Sequence, residues 1–106
     1  MAHFVMLGCY SQPAISAMIK KPSDRSAAAR AISEAVGGKL LSFHITRGKY
    51  DWVATVDAPD ANSVMAVKLA VLASGAVSKV EILEAIDLGK IAGSAGKALA
   101  AYKPPA

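Results

Sequence analysis

The chain has 106 residues, near the commonest size of a folding domain, so one core is expected and two are excluded. Its 12 Lys and Arg against 8 Asp and Glu give a net charge of +4, but the cations are scattered, with no basic helix and no RNA-reading aromatic signature, which argues against a nucleic-acid partner. A single cysteine, Cys9, excludes an intrachain disulfide and fits a reducing cytoplasm, and no apolar run approaches the roughly 18 residues of a membrane span.

Residues 3–10, His-Phe-Val-Met-Leu-Gly-Cys-Tyr, form a nearly continuous apolar run, the pattern of a central strand covered on both faces. Ser11 is placed to cap a helix with Pro13 in its first turn, and that helix is expected to reach about Lys20 before Pro22 breaks it. Ser23 is expected to cap a second helical piece over 24–36, ended by Gly37-Gly38. Over 39–47, strict alternation predicts Leu41, Phe43 and Ile45 on one strand face and Leu40, Ser42, His44 and Thr46 on the other. The turn Gly48-Lys49-Tyr50-Asp51 returns the chain as a β-branched and aromatic strand over 52–57, making an antiparallel hairpin.

Asp60, following Pro59, opens a helix closed by Gly75. Nine of the ten residues from Val64 to Ala73 are apolar, the composition of a helix buried on more than one side. A last strand over 77–86, with Lys79, Glu81 and Glu84 interleaved, reads as a sheet edge.

The order strand, helix, strand, strand, helix, strand predicts an α+β, ferredoxin-like βαββαβ fold with an antiparallel sheet and its helices on one face. The other face keeps apolar surface, for which a sheet-to-sheet homo-oligomer, a dimer or higher, is the expected cover. After Asp87 the composition turns to Ala and Gly. The chain therefore divides into a folded domain over 1–87 and a C-terminal helix or tail over 88–106, in which Ala favours helix, Gly93 and Gly96 oppose it and Pro104 ends it.

Few residues carry recognisable chemistry. Gly93-Ser94-Ala95-Gly96-Lys97 departs from a phosphate loop because Ile91 stands at the first glycine position and Ala98 replaces the hydroxyl residue, so no nucleotide cofactor is expected. Cys9 has no positive neighbour in sequence and is expected to be buried and inert; with His44 it shows no ligand spacing, so no metal is expected. His44, mid-strand beside Ser42 and Thr46, suits a base or a ligand-orienting donor, against the plainer role of a hydrogen-bonded histidine at a subunit interface. Arg47, Tyr50 and Asp51 gather a guanidinium, a phenol and a carboxylate at one turn, a set able to hold a small anion or polar ligand. The plainer alternative has Asp51 accepting from turn amides and Tyr50 packing on the sheet.

With Gly48-Lys49-Tyr50-Asp51 in place, the chain resembles the GYD-domain family, small bacterial and archaeal proteins named for a Gly-x-Tyr-Asp turn. The resemblance extends to Ser23-Asp24-Arg25 and the Ala-rich helix after it, Gly37-Gly38-Lys39-Leu40, the strand to His44, Ala58-Pro59-Asp60 and Glu84-Ala85, together covering about residues 3–87. It implies a domain of the ferredoxin-like, dimeric α+β-barrel type and no generally established reaction. The family commonly has an aromatic or polar residue where His44 stands, the position of Lys49 is variable, and the tail after Asp87 is less typical.

The resulting expectation is a cytoplasmic homo-oligomer that binds a small polar or anionic molecule in a cleft between the sheet and a partner subunit. His44 and Arg47 would orient the ligand, with Tyr50, Asp51, Trp52 and Tyr10 around it. The alternatives are a cofactor-independent enzyme with His44 or Asp51 as general base, by analogy with other dimeric α+β barrels, and an assembly module acting through its tail.

Overall fold

Eight elements follow one another in the computed structural model, which describes residues 1–105: β1 (Ala2–Tyr10), α1 (Gln12–Lys20), α2 (Arg25–Ala35), β2 (Lys39–Ile45), β3 (Trp52–Ala58), α3 (Ala61–Ala73), β4 (Val77–Glu84) and α4 (Leu88–Ala101). The apolar run of β1 is hydrogen-bonded on both edges, to β3 and to β4, and β2 adds outside β3. The sheet order is β2-β3-β1-β4 with every pairing antiparallel, a ferredoxin-like α+β fold carrying an additional C-terminal helix. As expected, β1 is central and β4 lies at an edge.

The helix signals are mostly local. Ser11 accepts from the Ala14 amide at 3.3 Å and Asp60 from the Ser63 amide at 2.8 Å, each satisfying an amide the helix leaves free. Asp24, not Ser23, caps α2: its carboxylate lies directly before the first turn and accepts from the Ser26 amide at 3.0 Å. Gly37 and Gly75 follow α2 and α3 at φ 80° and 79°, the left-handed conformation that a side chain disfavours.

Phe4, Met6, Trp52, Ala54, Val56 and Val80 form the centre of the core on the face that α2 and α3 cover. Strict alternation in β2 does not hold. The β2–β3 register shifts between Leu40 and Ser42, so one extra residue is absorbed; Leu40 joins Phe43 and Ile45 on the covered side and Leu41 is turned out, 45% exposed. Helix α3 is also less enclosed than its composition suggests. Only Val64 and Val67 are buried, while Met65 and Leu69 face outward, because α3 lies across one sheet surface with α2 as its lateral neighbour.

All fourteen residues of α4 are exposed. The radius of gyration, 17.4 Å against about 13 Å for a compact chain of this length, and the 57 Å long axis reflect that projecting helix. On the sheet face opposite α2 and α3, Val5, Leu7, Val53 and Leu83 have no helix over them, and His3 Nδ1 pairs with Asp57 Oδ1 at 2.9 Å.

Gly8 stands opposite Trp52 in the β1–β3 ladder, where a Cβ would collide with the indole and lie 2.7 Å from the Lys79 carbonyl. Gly8→Ala is expected to lower stability by about 1–3 kcal/mol through overpacking. Urea denaturation checks this, and Trp52→Phe in the Gly8→Ala background is expected to return part of the loss. An unchanged midpoint would contradict the close approach.

Candidate functional site

The Gly-x-Tyr-Asp turn is fastened to the end of β1. The Asp51 amide donates to the Gly8 carbonyl at 2.8 Å, while the Asp51 carboxylate accepts from the Tyr10 amide at 2.9 Å. The Thr46 amide donates to the Asp51 carbonyl at 2.8 Å and its hydroxyl to the Tyr50 carbonyl at 2.6 Å, closing the turn from the β2 side. Gly48, at φ 138°, supplies the backbone conformation that the turn requires. The clamp sets where two aromatic side chains emerge: Trp52 directly after the turn and Tyr10 at the irregularity that ends β1.

Both line a cavity of about 270 Å³ between the sheet and the facing sides of α2 and α3. Its floor includes Met6, Phe43, Trp52 and Ala54, and its walls include Arg25, Ala29 and Ile32 from α2 and Val67 and Val71 from α3. Ala28 and Ala70 also line it and are exposed, so it reaches solvent between the helices. Trp52 is 6% exposed and stacks on Phe43 with ring centres 6.2 Å apart. Its indole Nε1–H is buried and has no acceptor among the described residues. Leaving such a donor unmet costs about 1–3 kcal/mol.

The other polar side chains in the wall are Tyr10, Arg25, Ser33 and Ser74. Ser33 donates to the Ala29 carbonyl at 2.8 Å and Ser74 to the Val71 carbonyl at 2.6 Å, so both hydroxyl protons are committed. Among the described residues no histidine, carboxylate or thiol lines the cavity. Among the described residues no group of three or more His, Cys, Asp or Glu side chains is arranged to hold a metal, and no helix is long and apolar enough to cross a membrane. Tyr10 and Arg25 also border a second hollow of about 390 Å³, walled by exposed Ile15 and Ile19 of α1 and by Asp51.

The residues singled out from sequence divide between two faces. Trp52 and Tyr10 line the cavity, and Asp51 stands beside Tyr10, its carboxylate accepting from the amide that ends β1 rather than from an amide of its own turn. His44 lies opposite Val53 on the uncovered sheet face, exposed, and Arg47 is exposed in the turn; neither lines the cavity. Tyr50 also turns away from it. Lys49 Nζ and Lys79 Nζ lie 5.7 and 5.4 Å from its ring centre, and hydrogen bonding between the two groups holds the Tyr50 phenol above and the Glu81 carboxyl below their ordinary pKa values. Cys9 is half-buried rather than fully buried, its thiol donating to the Lys49 carbonyl at 3.6 Å. Sequence reasoning passed over Arg25. Its spacing to Ala28, Ala29 and Ile32 is the i, i+3, i+4, i+7 pattern of one helix face, a signal that was available.

The family model of the GYD domain matches residues 4–94. No curated protein matches the chain. Among solved structures, 81% of this chain overlays the whole of the chain in the crystal structure of FFRP-DM1, with a TM-score of 0.54 and 10% identity. In the crystal structure of TTHA0845 from Thermus thermophilus, 95% of the chain is overlaid by 82% of this one, with a TM-score of 0.50 and 21% identity. Likeness at these identities concerns the fold alone.

Burial holds the Tyr10 phenol above its ordinary pKa; the Arg25 guanidinium opposes the shift through a hydrogen bond and its charge, while Asp51 adds to it. A phenol whose folded pKa is raised contributes stability that is present below about pH 10 and is lost as pH rises through the higher folded value. Tyr10 is therefore expected to ionise above the ordinary range, and Arg25→Gln to move it higher still by removing the opposing charge. Titration of ¹³Cζ-labelled tyrosine by NMR checks both shifts; a downward move on substitution would contradict the pairing.

Proposed function

The chain belongs to the GYD domain family, and from that footing we propose that it is a binding domain whose small-molecule ligand sits between the sheet and helices α2 and α3. The observation that carries the reading is the cavity itself, about 270 Å³ with mostly apolar walls, the Trp52 ring in its floor and an opening between α2 and α3. Small-molecule sites commonly enclose about 300–1,000 Å³ with mostly apolar walls and a few polar groups, and this cavity stands just below the lower end of that range. The absence of a histidine or carboxylate from the lining favours binding over general-base catalysis.

A second property rests on the other sheet face. Val5, Leu7, Val53 and Leu83 form an uncovered apolar patch on a chain whose helices lie elsewhere, which supports pairing of two copies sheet to sheet. In that arrangement His44 belongs to the subunit contact rather than to the ligand. The folded unit ends near residue 87, since α4 is exposed throughout, and the single half-buried cysteine suits a reducing, cytoplasmic setting.

Trp52 is the sole tryptophan, so one indole resonance and one fluorescence signal report on the cavity. A small aromatic probe such as benzyl alcohol is expected to shift the Trp52 Nε1–H resonance saturably, and Ala29→Phe, which fills the space, is expected to weaken that response at least about tenfold. A wild-type resonance unmoved by such probes would reject the cavity as a site. For the pairing, light scattering at micromolar concentration is expected to give the mass of two chains and Leu7→Lys that of one; a wild-type mass of one chain would reject the dimer.

A further inference from the structure

We infer that the ligand of this cavity is a small monocarboxylic acid with an apolar body, its carboxylate held by Arg25 beside Tyr10. The inference rests on the cavity reading above and adds a chemical class to it. Arg25, the first residue of α2, is half-buried and lines the cavity wall. Among the described residues the ion pairs are His3 with Asp57 and Lys79 with Glu81, so the Arg25 guanidinium has no carboxylate at ion-pair distance. Two carboxylates stand near it, Asp24 preceding it in sequence and Asp51 across the second hollow, and neither pairs with it. Asp24 accepts from the amide and hydroxyl of Ser26, and Asp51 accepts from the Tyr10 amide.

A half-buried guanidinium whose neighbour is a neutral phenol leaves its charge unmatched, and its planar fork fits a carboxylate in two parallel hydrogen bonds. The neighbouring Tyr10 hydroxyl is a neutral donor that can add a third. Away from that end the lining is apolar, with Met6, Ile32, Phe43, Val67 and Val71 leaving no second cation for a dianion. A cationic ligand would face Arg25 directly, and a neutral one would leave it unmatched. Size narrows the class further. A cavity of about 150 Å³ holds benzene, so about 270 Å³ accommodates a body somewhat larger than one aromatic ring and excludes most drug-sized molecules.

Phenylacetate and its neutral isostere phenylacetamide separate the two levels of the reading, with the Trp52 Nε1–H resonance of the full chain as readout. Wild type is expected to bind phenylacetate about tenfold or more tightly than the amide, the scale of one charge-assisted contact. Arg25→Gln is expected to abolish that preference while leaving amide binding in place, and Arg25→Lys to retain part of it. Equal affinity of wild type for the two probes, or a preference that survives Arg25→Gln, would overturn the carboxylate assignment while the cavity reading stands. If neither probe moves the resonance, both readings fall.

Discussion

The close crossing of Trp52 over Gly8 is the constraint from which the rest of the molecule takes its shape. Glycine at the core-facing position of β1 leaves room for an indole to lie across a central strand, where any Cβ would meet both the ring and the Lys79 carbonyl. The ring is thereby held against the sheet and stacked on Phe43, with its N–H unmet by any acceptor among the described residues. Opposite it the chain places small side chains, Ala28 and Ala29 on α2 and Ala70 on α3. A large ring moored on one side and alanines on the other leave space that a fully packed interior would fill, and the atoms around that space forgo dispersion contacts.

The turn before Trp52 serves that crossing. By bonding Gly8 through its backbone and Tyr10 through its carboxylate, Asp51 ties the hairpin to the central strand and fixes the last residues of β1. Tyr10 then leaves the strand toward the helices, where Arg25 meets it, while Tyr50 turns to the opposite face among Lys49, Lys79 and Glu81. One short turn thus serves two surfaces. The covered side receives the buried aromatic groups and the cavity, and the uncovered side keeps an apolar patch with charged residues at its margins.

Most of the fold was legible in the amino-acid sequence, and most of the candidate site was not. Gly37-Gly38, Pro22, Asp60, Gly75 and the Gly48 turn are local signals, each acting within a few residues, and they marked element ends well. His44, Arg47, Tyr50 and Asp51 were grouped because they are near in sequence, yet a strand sends neighbours to opposite faces and a turn sends them in several directions. Arg25 went unnoticed because it lies far along the chain from the Trp52 and Tyr10 it accompanies.

The amino-acid sequence by itself determined the element types, their order and the family, since capping, turn chemistry and hydrophobic period are properties of short windows. Tertiary structure alone decided which side chains share a face. The extra residue absorbed in β2 and the irregularity between Cys9 and Tyr10 each shift a period-two pattern by one place, and only the pairing of strands reveals such a shift. The cavity likewise belongs to the packing, because its walls come from two helices and all four strands, and space left between elements is not a property of any one of them.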